Sequence, residues 1–525
     1  MNEPAHHQGL PSHTAEGQEA PSADLAALAR GGRINFFGFV LRLAARLPFL
    51  FIAGRMYGPE ALGRFAYAVL IVEFAAQLAT LGLKRGLAQQ LARTDKDHVC
   101  VVFDGLLVAA LGSAVCMALL FVFPQAMFPN SEIHGLEWLL PVAVIAVAGS
   151  DIMLAALAYR HDVGATVRAR AVVEPWTISI AAFVLAYVSK RDGLILAYAL
   201  SMVGALIASA IPFLKSYGLP RGWSPDPASL WRMARRNLPV AAADAVEWGS
   251  RRVDIAILGL FASPAIVGIY YVAQNVASLP SKLKTSFDPI LGPVISRNVE
   301  RGDRAAVAKQ VRQVGFWVIA AQAAVALALG IPGEAVMGLV GPEFVAGTAA
   351  LAFLLGAEVV AATATTSEAA LIYTARHRNM VLSLLMIGLQ AALTLGLILL
   401  MRRLGWPEMW QATAPAIALV LALAFAAVTK ARLLRHLLGA RVSGWRWPLV
   451  WAALVAGVVG QLCVWLPEWL ELLVGIPAIL AAFGFVIWTR GFGPEDRELF
   501  RMRKADIAEL NAELPVPGTS PGAPH

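Results

Sequence analysis

A train of apolar runs constrains this chain more than any other feature. They recur from residue 34 to residue 489, each near the roughly 20 residues that a helix needs to cross the hydrocarbon core of a bilayer. Hydrophobic residues make up 58% of the 525 and charged residues 15%. Soluble domains average about 45–50% and about 25%. Strands of a membrane barrel would be shorter and alternating. The fold class is therefore an all-α polytopic membrane protein.

Segmentation gives fourteen spans, at 34–54, 62–82, 101–123, 136–158, 172–189, 193–214, 239–261, 265–287, 313–333, 348–370, 380–401, 410–429, 447–466 and 470–489. Loop charge tests the count. One set of loops holds 24 basic residues, from Lys84 and Arg85 through Arg160, Arg168 and Arg170 to Arg446; the opposite set holds five, Arg55, Lys190, Arg191, Arg402 and Arg403. A missed span would invert this alternation from that point on. The basic loops and both termini are expected in the cytoplasm. The net charge of +8 is spread over these loops and does not form the single patch that nucleic acid would require. Cys100, Cys116 and Cys463 are far apart, without disulfide or metal-ligand spacing. No cofactor motif is present, and residues 1–33 and 491–525 read as polar tails.

An internal repeat divides the chain. GPEALGRFAYAVLIVEFAAQLATLG from Gly58 matches SPAIVGIYYVAQNVASLPSKLKTSF from Ser263 at an offset of 205, placing Pro59 on Pro264 and Gly63 on Gly268. Both segments are even-numbered helices and run the same way, so the repeat is parallel, about an axis along the membrane normal. The boundaries are an N-terminal six-helix lobe at 34–214, a cytoplasmic linker at 215–238, a second lobe at 239–435 and an additional helix pair at 436–490.

The charges inside helix seven carry the functional reading. Glu247, Arg251, Arg252 and Asp254 would each cost about 2.5–3.5 kcal/mol at a lipid-facing helix centre, so they must face a polar interior. Asp244, Glu247, Arg251 and Asp254 follow steps of three, four and three and share one helical face. Glu247 and Arg251 as a self-neutralising i,i+4 pair is the plain alternative, but it leaves Arg252, Arg42 and Arg46 unexplained. The repeat places Arg46 on Arg251, and Lys282 in helix eight adds positive charge or snorkels to the interface. A hydrated cavity of net positive charge follows, fit for an anion; phosphate or pyrophosphate matches arginine's planar fork. Arg42, Arg46, Arg251, Arg252 and Lys282 are the candidate substrate-binding residues. Glu73, Glu247, Asp254 and Glu358 are candidates for ion coupling, with helix-pairing hydrogen bonds as their competing role. Asp104, Asp151, Glu174 and Asp288 lie near helix ends, where solvated or capping roles are expected. Pro239 reads as the start of helix seven.

MYGPEALGRFAYA, followed by LATLGLKRGLAQQLAR, resembles the first repeat of Wzx-type polysaccharide flippases of the multidrug/oligosaccharidyl-lipid/polysaccharide exporter superfamily. The LP, RRVD, ILG and VGIYYVA elements of residues 238–297 are similar to that family's seventh and eighth helices. The resemblance implies two six-helix lobes around a cavity, alternating access, no catalysis, and a cargo of oligosaccharide on polyprenyl pyrophosphate. A polysaccharide polymerase and chain-length proteins are the partners it suggests. The last two helices, rich in Trp, resemble the extra pair of the related lipid II flippases. A cation-coupled multidrug exporter of the same superfamily and a non-transporting component of an assembly complex are the alternatives. A membrane glycosyltransferase is disfavoured, because the outward loops are short and His98, His161, His377 and His436 all fall in cytoplasmic loops.

Overall fold

The computed structural model describes residues 47–94, 97–133, 135–284, 295, 298–493 and 496–497, the side chains of 163 and 282–284 excepted. Among these residues the chain is helical throughout, without a strand. The elements are α1 (47–57), α2 (Gly58–Ala79), α3 (Leu83–Leu91), α4 (His98–Val122), α5 (Ala143–Tyr159), α6 (163–185), α7 (Gly193–Tyr217), α8 (Pro227–Ser250) and α9 (Val253–Phe261). They continue with α10 (Pro264–Ala277), α11 (Leu279–Lys284), α12 (Arg304–Gly330), α13 (Gly333–Val340), α14 (Thr348–Thr374), α15 (Arg376–Arg403), α16 (Thr413–Leu438), α17 (Pro448–Cys463) and α18 (Ile476–Val486).

All fourteen expected spans fall on helices in the expected order, the first on its described end, 47–57. Nine stretches among the described residues are long and apolar enough to cross a membrane by length and composition alone. The shortfall has local causes. Gly58, at φ +81°, reverses the chain between α1 and α2, which together with α3 form one stretch. Helices seven and eight are each broken in two, α17 has only 16 residues, and α6 carries three charges, Arg168, Arg170 and Glu174, within its apolar run.

Helix seven corrects two expectations. It starts at Pro227, inside the expected linker, because Asp226 caps it by accepting from the amides of Ala228 and Ser229; Pro239 is therefore internal. It also stops at Ser250 and restarts at Val253, with Arg251 and Arg252 in the break. Gly249 and Ser250 are weak helix formers, and the Ser250 hydroxyl donates to the Glu247 carbonyl, a known route to kinks. The four charges thus do not share one face. Asp254, only 2% exposed, turns into the second lobe. There it accepts from the Tyr270 hydroxyl at 2.7 Å, the Gln274 amide at 2.8 Å and the Ile255 backbone amide at 2.8 Å. Tyr270→Phe takes one donor from this enclosed carboxylate and is expected to cost about 1.5–3 kcal/mol, measurable as reduced denaturant stability in detergent.

The repeat is visible as a reciprocal contact between lobes. Helices α2 and α10 cross where a Cβ on Gly63 would lie 1.7 Å from the Pro264 carbonyl oxygen, and one on Gly268 would lie 2.0 Å from that of Pro59. Each Pro-x-x-x-Gly thus packs its glycine against the other's proline, the close approach that small residues permit between membrane helices. At the same end, the 124–137 connection straps one lobe to the other. The Asn130 amide donates to the carbonyls of Gly259 (2.8 Å) and Ala262 (3.0 Å), satisfying acceptors that the end of α9 leaves open. Arg64 holds the strap by donating to the Glu132 carbonyl at 2.9 Å and pairing with buried Glu137.

The C-terminal pair packs on α12: Leu449, Ala452, Ala456, Ile479 and Phe483 share a buried cluster with Phe316 and Val318. Asp496 locks the far end, accepting from Arg446 (2.9 Å), Gly493 N (2.9 Å), Trp317 Nε1 (3.0 Å) and Gln313 Nε2 (3.1 Å). Burial opposes its charge, but Arg446, the Gly493 amide and Gln313 together hold its carboxyl below the ordinary carboxylate value of 3.8. A lowered value stabilises the fold fully above the unfolded-state pKa, and the contribution is lost as pH falls through the folded one. Asp496→Asn is expected to be less stable than the parent at neutral pH, by on the order of 2 kcal/mol. The gap should close on acidification below that range, as read by thermal unfolding in detergent.

Candidate functional site

A cavity of about 430 Å³ lies among α2, α3, α5, α6, α7 and α8, within the size range of small-molecule sites. Its charged lining consists of Lys84 and Arg170 against Glu73, Asp151 and Glu174. Polar neutral groups join them. Gln77 and Thr166 line the wall, and the Tyr198 hydroxyl is buried with no hydrogen-bond partner among the described residues.

Each charge is placed by its helix. Gly82, at φ +73°, turns the chain from α2 into α3 and brings Lys84 to the cavity. Asp151 sits in the otherwise apolar α5 and uses both oxygens: Lys84 Nζ donates at 2.9 Å and Arg170 Nη2 at 2.5 Å. Arg170 spends its other arm on Glu174, one turn on, at 2.8 Å. Three helices, α3, α5 and α6, are thereby joined through one carboxylate. Arg170 and Asp151 are mostly shielded, with 24% and 11% of their side chains exposed, so their attraction is less screened than that of a surface pair.

The sequence candidates fall in several places. Arg252 pairs with Glu73 at 3.5 Å and lies over the ring of Trp248, 5.2 Å from its centroid; Glu73 and Trp248 both line the cavity. Arg251 is 75% exposed at its side chain and pairs with Glu247 at 3.3 Å, the self-neutralising arrangement. Arg85 of α3 reaches Glu247 at 2.8 Å and Asp244 at 3.0 Å. Neither Arg251 nor Glu247 lines the cavity. Asp254 is enclosed in the second lobe, as above, and Glu358 is half-buried in α14. Arg42 and Arg46 lie outside the described residues, and so does the side chain of Lys282.

The described lining holds two cations and three carboxylates; the expected positive charge rests also on Arg42, Arg46 and the Lys282 side chain, outside the described residues. One expectation changes. Asp151 and Glu174 are not solvated caps but counter-ions of Arg170, which the loop assignment of residues 159–171 hid. Two signals pointed to them: Arg170 and Glu174 stand four apart, and Asp151 is the lone charge in its apolar run.

Comparison with known proteins places the architecture. The fold matches the inward closed conformation of the lipid II flippase MurJ with a TM-score of 0.63 at 12% identity, covering 91% of this chain and 100% of that one. It also matches an inward-facing multidrug resistance MATE family transporter of the MOP superfamily, with a TM-score of 0.61 at 15% identity over 76% of this chain and 98% of that one. An outward-facing MATE family transporter gives 0.50 at 15% identity, over 79% and 95%. These likenesses establish a two-lobed helical fold like that of MurJ and the MATE family. No curated protein sequence matches. The family model described as polysaccharide biosynthesis protein matches residues 52–328, more than half of the chain, and the chain belongs to that family.

Proposed function

We propose that this protein is a flippase that carries a polyprenyl-pyrophosphate-linked oligosaccharide across the inner membrane by alternating access, for surface polysaccharide biosynthesis. The observation that carries the reading is the cavity of a polysaccharide biosynthesis family member, walled by Arg170 and Lys84 beside the unpaired Tyr198 hydroxyl and the polar side chains of Gln77 and Thr166. Arg170, Lys84 and Arg252 hold the pyrophosphate. Gln77, Thr166 and Tyr198 meet sugar hydroxyls, and the polyprenyl tail stays in lipid. Arg42, Arg46, Arg251 and Lys282 extend the cationic path on the sequence argument. Glu73, Glu247, Asp254 and Glu358 are the acids through which an ion would couple. The better match to inward MurJ and MATE conformations than to an outward-facing MATE transporter supports an arrangement closed at the Gly63–Gly268 crossing. The basic loops, with both termini, face the cytoplasm. A polymerase and chain-length proteins receive the product.

The test is genetic. Loss of the protein is expected to stop surface polysaccharide and to accumulate the lipid-linked oligosaccharide in the cytoplasmic leaflet; normal export without it would overturn the reading. The three carboxylates of the lining favour one second reading, a cation-coupled exporter of cationic drugs, for which loss of the protein would raise sensitivity to cationic dyes and leave polysaccharide unchanged.

A further inference from the structure

We infer that Asp151 is a resident stand-in for the substrate's phosphates, a counter-ion that occupies Lys84 and Arg170 while the cavity is empty and yields them when an anion enters. The inference rests on the flippase reading and assigns a control function to a residue that binds no cargo itself.

Three observations carry it. Both Asp151 oxygens are taken by cations, and those cations come from different helices, α3 and α6. All three residues line the same cavity, so an entering anion meets the cations and their counter-ion together. The groups facing Asp151 include two competing acids, Glu174 on Arg170 and Glu73 on Arg252; Glu174 shares its helix with Arg170, whereas Asp151 links cations of two other helices. A pyrophosphate offers several charged oxygens on two phosphorus centres, and arginine's fork binds phosphate in a paired geometry. It therefore competes with one carboxylate for both cations at once.

The exchange has a structural consequence. While Asp151 holds both cations, α3, α5 and α6 are braced as a unit. When the pyrophosphate takes them, the brace passes from a protein group to the cargo. Only a ligand that distinguishes the two arrangements shifts their populations, and here the distinction is whether Asp151 or the cargo closes the α3–α6 link. An empty protein stays braced; a loaded one is released to rearrange.

Asp151→Asn keeps the shape of the side chain and removes its charge. Purified variant is expected to bind farnesyl pyrophosphate about tenfold more tightly than the parent, a difference on the scale of one ordinary interaction, with farnesyl monophosphate gaining less. Spin labels at the exposed positions Val188 and Trp406 are expected to show one inter-lobe distance in the empty parent and a second in the empty variant. Glu174→Gln, which leaves the Asp151 bridge intact, is expected to gain little; an equal gain there would reduce the effect to generic loss of negative charge and overturn the assignment. Asp151→Ser is the second neutral variant, should the asparagine disturb packing. If the parent binds farnesyl pyrophosphate and neither neutral variant gains, the stand-in role fails and the flippase reading stands. If the parent binds neither lipid, both fail.

Discussion

Arg170→Ala is expected to abolish transport and to destabilise the first lobe by on the order of 3 kcal/mol, because it strands two shielded carboxylates, Asp151 and Glu174, without their common cation. Both effects have one cause. The guanidinium joins α5 to the adjoining turn of α6, and it is also the cavity's best phosphate donor. Arg170→Lys separates the roles: a lysine keeps one charge near Asp151 but cannot span both acids, so stability should recover further than transport. Arg232, exposed and only loosely paired with Asp226 at 3.8 Å, is the control. Its alanine variant is expected within about 0.5 kcal/mol of the parent. Denaturant unfolding in detergent, alongside surface polysaccharide yield, checks all three.

Gly268→Leu should have a comparable effect on a different property, the balance between lobe arrangements. Any Cβ at 268 meets the backbone carbonyl of Pro59 at 2.0 Å and the Gly63 amide nitrogen at 3.0 Å. Backbone atoms of a packed helix cannot turn aside as a side-chain tip can, so α2 and α10 must separate. Overpacking of this kind costs about 1–3 kcal/mol or more, and it falls on the arrangement in which the crossing is closed. The variant is therefore expected to populate the opened arrangement, with the Val188–Trp406 distance lengthened and transport lost. Gly63→Leu, the same position in the other repeat, should behave alike. A variant with unchanged distance and full transport would show that the crossing is not a closing contact.

The fold was largely legible because hydrophobic length and loop charge are local signals that membranes enforce on every span. The lobe crossing was legible too, since the repeat that aligned Gly63 with Gly268 brought together two residues that meet in space. What escaped were features decided by distant partners. Asp254 finds Tyr270 and Gln274, which lie 16 and 20 residues onward, so its face on an ideal helix misplaced it once Arg251 and Arg252 became a break. Arg170 was hidden by a loop boundary drawn too far along the chain. In the structure it stands in α6, with its helix-mate Glu174 and with Asp151 from α5. Asp151 and Glu174, expected near helix ends, stand in the cavity wall beside Arg170.

The measurement that bears most directly on the flippase assignment is transbilayer movement in vesicles holding the purified protein. A fluorescent polyprenyl-pyrophosphate oligosaccharide is placed in both leaflets, and a membrane-impermeant reagent destroys the outer pool. With the protein present, the inner pool is expected to become accessible, and vesicles with Arg170→Ala should match protein-free ones. An inner pool equally protected with and without the parent protein, with a cationic dye moved instead, would contradict the account.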